Sequence, residues 1–372
     1  MERYINIVDY HQRRNNNHIF FNKKVAETFL PCRNPWTKLV VNQFGLTYNC
    51  ISPAWLPKSI GSLLDYDDFF DLLNSYEARA IRSEIDLKRY SYCNNKICGI
   101  LSTDFAIKQY DPDTTDTSLI TEDRFTETSI LRTLPNEICF DFDYTCNFKC
   151  PSCRTEMINH NQGPMVEINE KLVDKIKKVI LDRYIETKTP LDIRWAGGEP
   201  FLSHAYLELF DYIVYNQATN IKNIVQTNGS YLDRRKKLLK DFLPYIKEFR
   251  ISFDAGTESS YNKIRINGNW DTLIKNSTYT KNLIISQNTN TDLISDFVIQ
   301  LENFQEIPQY IDLVKSLGFD WINLNRLWSW GTWEDEEFKR LNVCDRDHPS
   351  YPKLIEILKS YENDNMIRQH VY

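Results

Sequence analysis

No stretch of these 372 residues approaches the roughly 20 apolar residues of a membrane-spanning helix, which speaks against a membrane protein of helical type. The opening Met-Glu-Arg-Tyr-Ile-Asn starts no apolar run of signal-peptide length. There is no basic excess: the net charge is −6, so a nucleic-acid scaffold with a cationic face is not expected. Lys-Arg clusters such as Arg234-Arg235-Lys236-Lys237 are short and read as a solvated helix face. Repeats and low-complexity segments are also lacking. What is present, 42% hydrophobic and 26% charged residues, suffices for a full core, and the length accommodates two domains. Nine Cys without an export signal point to a reducing, cytoplasmic setting, where thiols serve metals more often than disulfides.

Three of the nine stand in Cys146-Asn147-Phe148-Lys149-Cys150-Pro151-Ser152-Cys153. Three thiolates this close can hold three irons of a 4Fe–4S cluster, whereas clusters wired only for electron transfer have four thiolate ligands. No fourth Cys follows, since the chain continues Arg154-Thr155-Glu156. One iron would thus be left open to a small molecule. Zinc is the competing reading: Cys150 and Cys153 have zinc-knuckle spacing, and His160 could complete a set with Cys146.

From 135 to about 330 the chain alternates strand and helix patterns. Strands are expected over 138–145, 191–195, 221–226, 248–253, 295–301 and 321–327. The intervening helices are expected over 171–184, 203–215, 234–242, from 259, over 270–284 and over 308–317. Six strands with helical crossovers imply parallel pairing, an α/β fold of the partial (β/α)6 TIM-like barrel kind. In such folds reactive groups gather at strand C-termini. Ala196-Gly197-Gly198-Glu199-Pro200, Thr227-Asn228-Gly229, Ser252 with Asp254, Gln300 with Asn303, and Asn325 all fall there.

A Cys-x3-Cys-x2-Cys loop followed by a Gly-Gly-Glu-Pro strand end resembles the radical S-adenosylmethionine (SAM) superfamily. The resemblance implies SAM chelated at the open iron of a 4Fe–4S cluster and cleaved reductively to methionine and a 5′-deoxyadenosyl radical. It implies cofactor contacts from Gly197, Gly198, Glu199 and Pro200, with Glu199 on the SAM ammonium. Ser252 and Asp254, one residue apart on a strand, are expected on one side as ribose contacts. Arg265 resembles an Arg that pairs with the SAM carboxylate, or is a surface Arg. Thr227 and Asn228 would contact substrate or ribose, or shape the turn before Gly229. Ser152 departs from the bulky residue usual before the third Cys, so Phe148 or Tyr144 would supply the adenine surface.

Residues 1–125 lack the strand–helix rhythm and hold Cys32, Cys50, Cys93 and Cys98, a complete four-thiolate set for zinc or a second 4Fe–4S cluster. Cys32, twelve residues, Gly45, four residues and Cys50 resemble the opening of SPASM and Twitch domains, here placed before the barrel. Residues 108–123 read as a linker. Cys139 and Cys344 remain as weak candidates for hydrogen-atom donors, against ordinary buried thiols. Trp321, Trp328, Trp330 and Trp333 read as an aromatic plug ahead of a substrate platform. A C-terminal extension over 331–372, helical over 350–363, is expected to cover the barrel's open edge.

The resemblance implies a low-potential donor such as flavodoxin or ferredoxin, and a peptide or protein substrate for oxidation, crosslinking or epimerisation. The alternatives are dehydrogenation or rearrangement of a sugar-like or nucleotide-linked small molecule and, more remotely, a non-catalytic metal-binding interaction protein.

Overall fold

The structure is a computed structural model and describes residues 32–94, 98 and 125–371. Much of the expected 1–125 region, including the 108–123 linker, lies outside the described residues. By packing, the chain forms two units: Met1–Phe142 with Glu167–Arg194, and Asp143–Val166 with Trp195–Tyr372.

In the first unit, β1 (Lys38–Asn42) turns through Gly45 into β2 (Leu46–Tyr48), which pairs antiparallel with β1 and with β3 (Gly61–Ser62). Gly45 has φ +73°, and a Cβ there would stand 2.8 Å from Leu172 Cδ2, so the turn needs glycine on both counts. On its other side β1 pairs in parallel with β4 (Glu137–Asp141), Lys38 opposite Glu137 and Asn42 opposite Asp141. Next to β4 comes β5 (Leu191–Trp195). Both β4 and β5 alternate buried and half-buried residues, as strands with one packed face do.

The helix expected over 171–184 begins earlier, at Met165, and runs to Thr187 with a π-helical stretch at Ile176–Leu181. Leu172, Val173, Ile176, Val179 and Ile180 are all buried along it. Arg82 is fully buried and donates to the carbonyls of Leu73 and Ser129, a strut across this unit.

The second unit holds β6 (Ile221–Thr227), β7 (Ile246–Ser252), β8 (Asp292–Ile299), β9 (Trp321–Arg326) and β10 (Ile367–His370), side by side in that order and all parallel. Helices connect them: His204–Tyr215 precedes β6, Lys236–Phe242 precedes β7, and Glu258–Ile264 with Trp270–Gln287 precede β8. Ile307–Ser316 precedes β9. Ser203, Thr257 and Asn269 cap their helices by accepting from the N–H of Tyr206, Ser260 and Thr272. Trp195 meets Phe210 edge-to-face at 4.8 Å between ring centroids and Phe210 stacks on Phe242 at 4.3 Å, which locks the first two of these helices onto the core.

The fold is mixed α/β with mostly parallel pairing, and all six expected strands appear, as β4 to β9. Their ends shift by a few residues. Two expectations for the C-terminal region need correction. The edge of β9 is covered by a strand, β10, rather than by the 350–363 helix, which is present only as Tyr351–Lys359. Nor do the tryptophans form a plug. Trp328 and Trp330 are about half exposed, and Arg326 lies over the Trp328 ring at 4.8 Å.

Candidate active site

The loop that carries Cys146, Cys150 and Cys153 follows β4 and is pinned at its root by Asp143. This fully buried carboxylate accepts from Thr145 N and Oγ1 at 2.9 and 2.7 Å and from Ser203 Oγ at 2.5 Å. Burial works against its charge, but the bonds from His160, Ser203 and Thr145 outweigh burial and hold the carboxyl below its usual range. Tyr206 Oη ties the same root to the strand end after β5, accepting from Asp143 N at 3.1 Å and donating to Ala196 O at 2.9 Å.

The Gly-Gly-Glu-Pro segment docks directly on this loop. A Cβ at Gly198 would meet Thr145 O at 2.1 Å, and Glu199 N donates to that carbonyl at 2.7 Å. Only glycine permits so close a backbone approach. The space at Gly198 is therefore taken by Thr145 of the cysteine loop. Glu199 is likewise engaged within the protein. It is 1% exposed and accepts from Thr227 Oγ1 at 2.6 Å, Asn228 N at 2.7 Å and Phe201 N at 3.2 Å. Burial pushes its carboxyl up to about 7, against these bonds and the Arg265 charge. In this arrangement Glu199 braces the end of β6, and Pro200 leads into the turn after it.

The three thiols each receive an N–H donor. Cys146 Sγ accepts from Phe148 N at 3.4 Å and Asn228 Nδ2 at 3.8 Å. Cys150 Sγ accepts from Arg265 Nη1 at 3.7 Å, and Cys153 Sγ from Arg154 Nη2 at 3.4 Å. Arg154 also donates to Tyr144 O and Gly197 O, both at 2.9 Å, and so joins the cysteine loop to the glycine loop. Burial still pushes Cys146 up to about 11, with Arg154 pulling the other way; Cys150 rises for the same reason against Arg265. A bound metal would supply the remaining positive charge, since a coordinating thiol is deprotonated outright. Among the described residues, no three His, Cys, Asp or Glu side chains are gathered tightly enough to hold a metal ion as they stand.

Several expected positions are differently occupied. His160, the fourth ligand of the zinc reading, has its Nδ1 3.4 Å from Asp143 Oδ1. Arg265 is not a surface residue: its Nη2 lies 2.7 Å from Asp254 Oδ2. Alone, burial would disfavour its charge, but Asp254 and Cys150 hold the guanidinium charged. Ser252 and Asp254 do not continue one alternating strand. β7 ends at Ser252, and Asp254 has φ +56°, with its carboxylate accepting from Val298 N at 2.7 Å. Ser252 Oγ instead faces Gln226 Nε2 at 3.4 Å. Phe148 is 1% exposed, while Tyr144 meets His160 edge-on. Gln300, Asn303 and Val298 form a turn: Asn303 accepts from Gln300 N and donates to Asp254 O and Val298 O. Asn325 and Asn323 both donate to Asp296.

Arg154 and Asp143 escaped the sequence reading. A basic residue directly after the third Cys was a signal for Arg154. Nothing local distinguished Asp143, whose partners come from four separate positions. Cys139 lies on β4, where burial and Asp141 push its thiol up; Cys344 is buried beside Leu327 and Arg326 and pushed up to about 11.

In the first unit Cys32, Cys50, Cys93 and Cys98 line one cavity, with Trp55 and Tyr90 among its walls. Tyr90 Oη accepts from Cys32 N at 3.4 Å. Burial pushes Cys32 up to about 11, and raises Cys50 and, more strongly, Cys93, with the neighbouring thiols adding to the effect.

Residues 142–314 match the Radical SAM superfamily model. That match covers just under half of the chain. No curated protein matches the chain. Among solved structures, it is similar to Streptococcus suis SuiB bound to S-adenosylmethionine, 16% identical with TM-score 0.44 over 64% of this chain and 51% of that one. The chain thus spans about half the length of that structure. SuiB bound to the precursor peptide SuiA is 13% identical, TM-score 0.44, over 89% and 71% of the two chains. Native anSMEcpe with bound AdoMet and Cp18Cys peptide is 18% identical, TM-score 0.41, over 61% and 58%.

Proposed function

We propose that the chain is a radical SAM enzyme that binds a 4Fe–4S cluster through Cys146, Cys150 and Cys153 and cleaves SAM to abstract hydrogen from a peptide substrate. The observation that carries this reading is the junction of the two loops: three thiols, each with its own N–H donor, packed directly against Gly197-Gly198-Glu199. The donor set fits the group, because thiolates are the ligands of such clusters and the site offers charged and neutral N–H groups to their sulfurs. When bound, the cluster would supply the electron that splits the SAM sulfonium into methionine and a 5′-deoxyadenosyl radical.

The protein's own contribution is placement. Gly198 and Glu199 hold the glycine loop on Thr145, so the two walls of the site are in direct contact. Glu199, through Thr227 and Asn228, sets the third wall at the end of β6. Ser252 and Gln226 offer polar groups at neighbouring strands for hydroxyls. The partial (β/α)6 barrel belongs to the same reading, as does supply of electrons by flavodoxin or ferredoxin. The peptide class rests on the resemblance of the Cys32–Gly45–Cys50 segment to SPASM and Twitch domains. A second cluster is assigned to Cys32, Cys50, Cys93 and Cys98, supported by their convergence on one cavity. There it would exchange an electron with the substrate.

Anaerobic reconstitution with iron and sulfide, then SAM and dithionite, tests the core of the reading. The expected product is 5′-deoxyadenosine, formed by the parent and lost in the Cys146→Ala, Cys150→Ala, Cys153→Ala variant. Equal production by both proteins would remove the catalytic assignment.

A further inference from the structure

Resting on the reading that Cys146, Cys150 and Cys153 hold a cluster, we propose that Arg154 and Arg265 are positioning residues that set its reduction potential. Each directs a charged N–H at one thiolate, and Asn228 directs a neutral one at the third. The three donors come from separate places in the chain: the residue after the last Cys, the end of the helix Glu258–Ile264, and the turn after β6. Neither guanidinium can swing away without breaking other bonds. Arg154, 7% exposed, is shared between Cys153 Sγ, Tyr144 O and Gly197 O. Arg265 is shared between Cys150 Sγ and Asp254, whose carboxylate is 2.7 Å away and itself 2% exposed as a residue.

Taking up an electron makes a cluster more negative. Fixed positive charge at its sulfurs favours the reduced form, and potentials of such clusters follow net charge and hydrogen bonds to sulfur. The two guanidinium groups therefore raise the potential, easing reduction by the external donor. Asp254 acts in the opposite sense, because it offsets the Arg265 charge. A merely structural role for these residues would not give shifts of opposite sign.

The test is an EPR-monitored redox titration of the reconstituted protein. The cluster signal that changes on adding SAM identifies the three-thiolate site. At the parent's midpoint, Arg154→Gln and Arg265→Gln should each lower the reduced-to-oxidised ratio about tenfold, equal to about 59 mV for a one-electron couple. Asp254→Asn should raise it. Asn228→Ser, which removes a neutral donor, should move it less than either Arg variant. Arg154→Lys and Arg265→Lys keep the charge and should stay within about threefold of the parent even though they lose the forked geometry.

If a Gln variant takes up no iron, the direction of Asp254→Asn decides. A downward or absent shift there overturns the proposal. So do Gln variants that carry the SAM-sensitive signal at the parent's potential, or Lys variants that shift tenfold. A parent protein with no SAM-sensitive signal removes instead the reading that the three thiols hold a cluster.

Discussion

The two sets of thiols are supported by different neighbours. Around Cys146, Cys150 and Cys153 the donors include two guanidinium groups, and the adjoining backbone is the glycine loop after β5. Around Cys32, Cys50, Cys93 and Cys98 the donors are amides, those of Asn34, Ile51 and Ser52, and the cavity walls include Trp55, Leu56 and Ile85. In both places burial raises thiols, Cys32 and Cys146 among them, but among the described residues guanidinium groups at hydrogen-bond range of sulfur are found in the second unit. On the proposed reading, three thiolates with charged support would leave a coordination position for a ligand, whereas four thiolates beside an apolar wall would complete their own ligand set.

The largest expected effect breaks the comparison at its catalytic side. Alanine at Cys146, Cys150 and Cys153 together should abolish 5′-deoxyadenosine formation while iron at the other set remains, read by product assay and iron analysis on the same sample. Alanine at Cys32, Cys50, Cys93 and Cys98 should do the reverse. Of about eight irons expected from two four-iron cubanes, about half should go. SAM cleavage without substrate should survive, and substrate conversion should fall. Four irons with one tightly held zinc in the parent would make the set at Cys32, Cys50, Cys93 and Cys98 structural, because zinc has no accessible second oxidation state.

Gly198→Ala probes the junction of the two loops. Its Cβ has no space beside Thr145 O, so chemical denaturation should show a loss of about 1–3 kcal/mol, with weaker SAM binding by equilibrium dialysis. Unaltered stability would show that the loops separate freely.

Glu199→Gln is expected to act through the same junction, costing about 1–3 kcal/mol, because an amide NH2 would face donors that now meet carboxylate oxygen. It should also flatten a pH dependence. With its carboxyl raised from 4.5 to about 7, the folded protein keeps a proton that the unfolded chain has released between those values. The contribution of Glu199 to stability is therefore greatest below about 4.5 and declines as pH rises to about 7. Arg265, Cys146 and Tyr261 are among the charged or titratable neighbours bearing on it. Denaturation curves for parent and variant across that range should converge in slope only if another group is responsible.

The smallest effect belongs to Trp328→Ala. This half-exposed ring should change stability by no more than about 0.5 kcal/mol, while any loss of substrate conversion would favour a platform at the end of β9.

Much of the fold was legible because strands and helices leave periodic patterns that need no partner to be seen. The β4–β9 series and the helices between them follow from alternation and 3.6-residue spacing. The two expectations that failed near the C-terminus depended on neighbours. β10 is four residues long and half-buried throughout or exposed, so its pattern is too weak to read until β9 stands beside it. Four tryptophans in thirteen residues signal apolar mass, but which rings face outward depends on the loop's path.

At the site, the sequence by itself determined the chemistry available: three thiols at a spacing that suits a cluster, and glycines followed by a carboxylate at a strand end. Tertiary structure alone decided how those groups are used. It set Gly198 against Thr145, turned Glu199 onto Thr227 and Asn228, buried Asp143 under the loop, and aimed Arg154 and Arg265 at sulfur. Hydrogen bonds and ion pairs have ranges of a few ångströms, and the residues they join lie between one and more than a hundred positions apart. Covalent neighbours can therefore announce a ligand set, while only the folded chain brings together the donors that govern its charge.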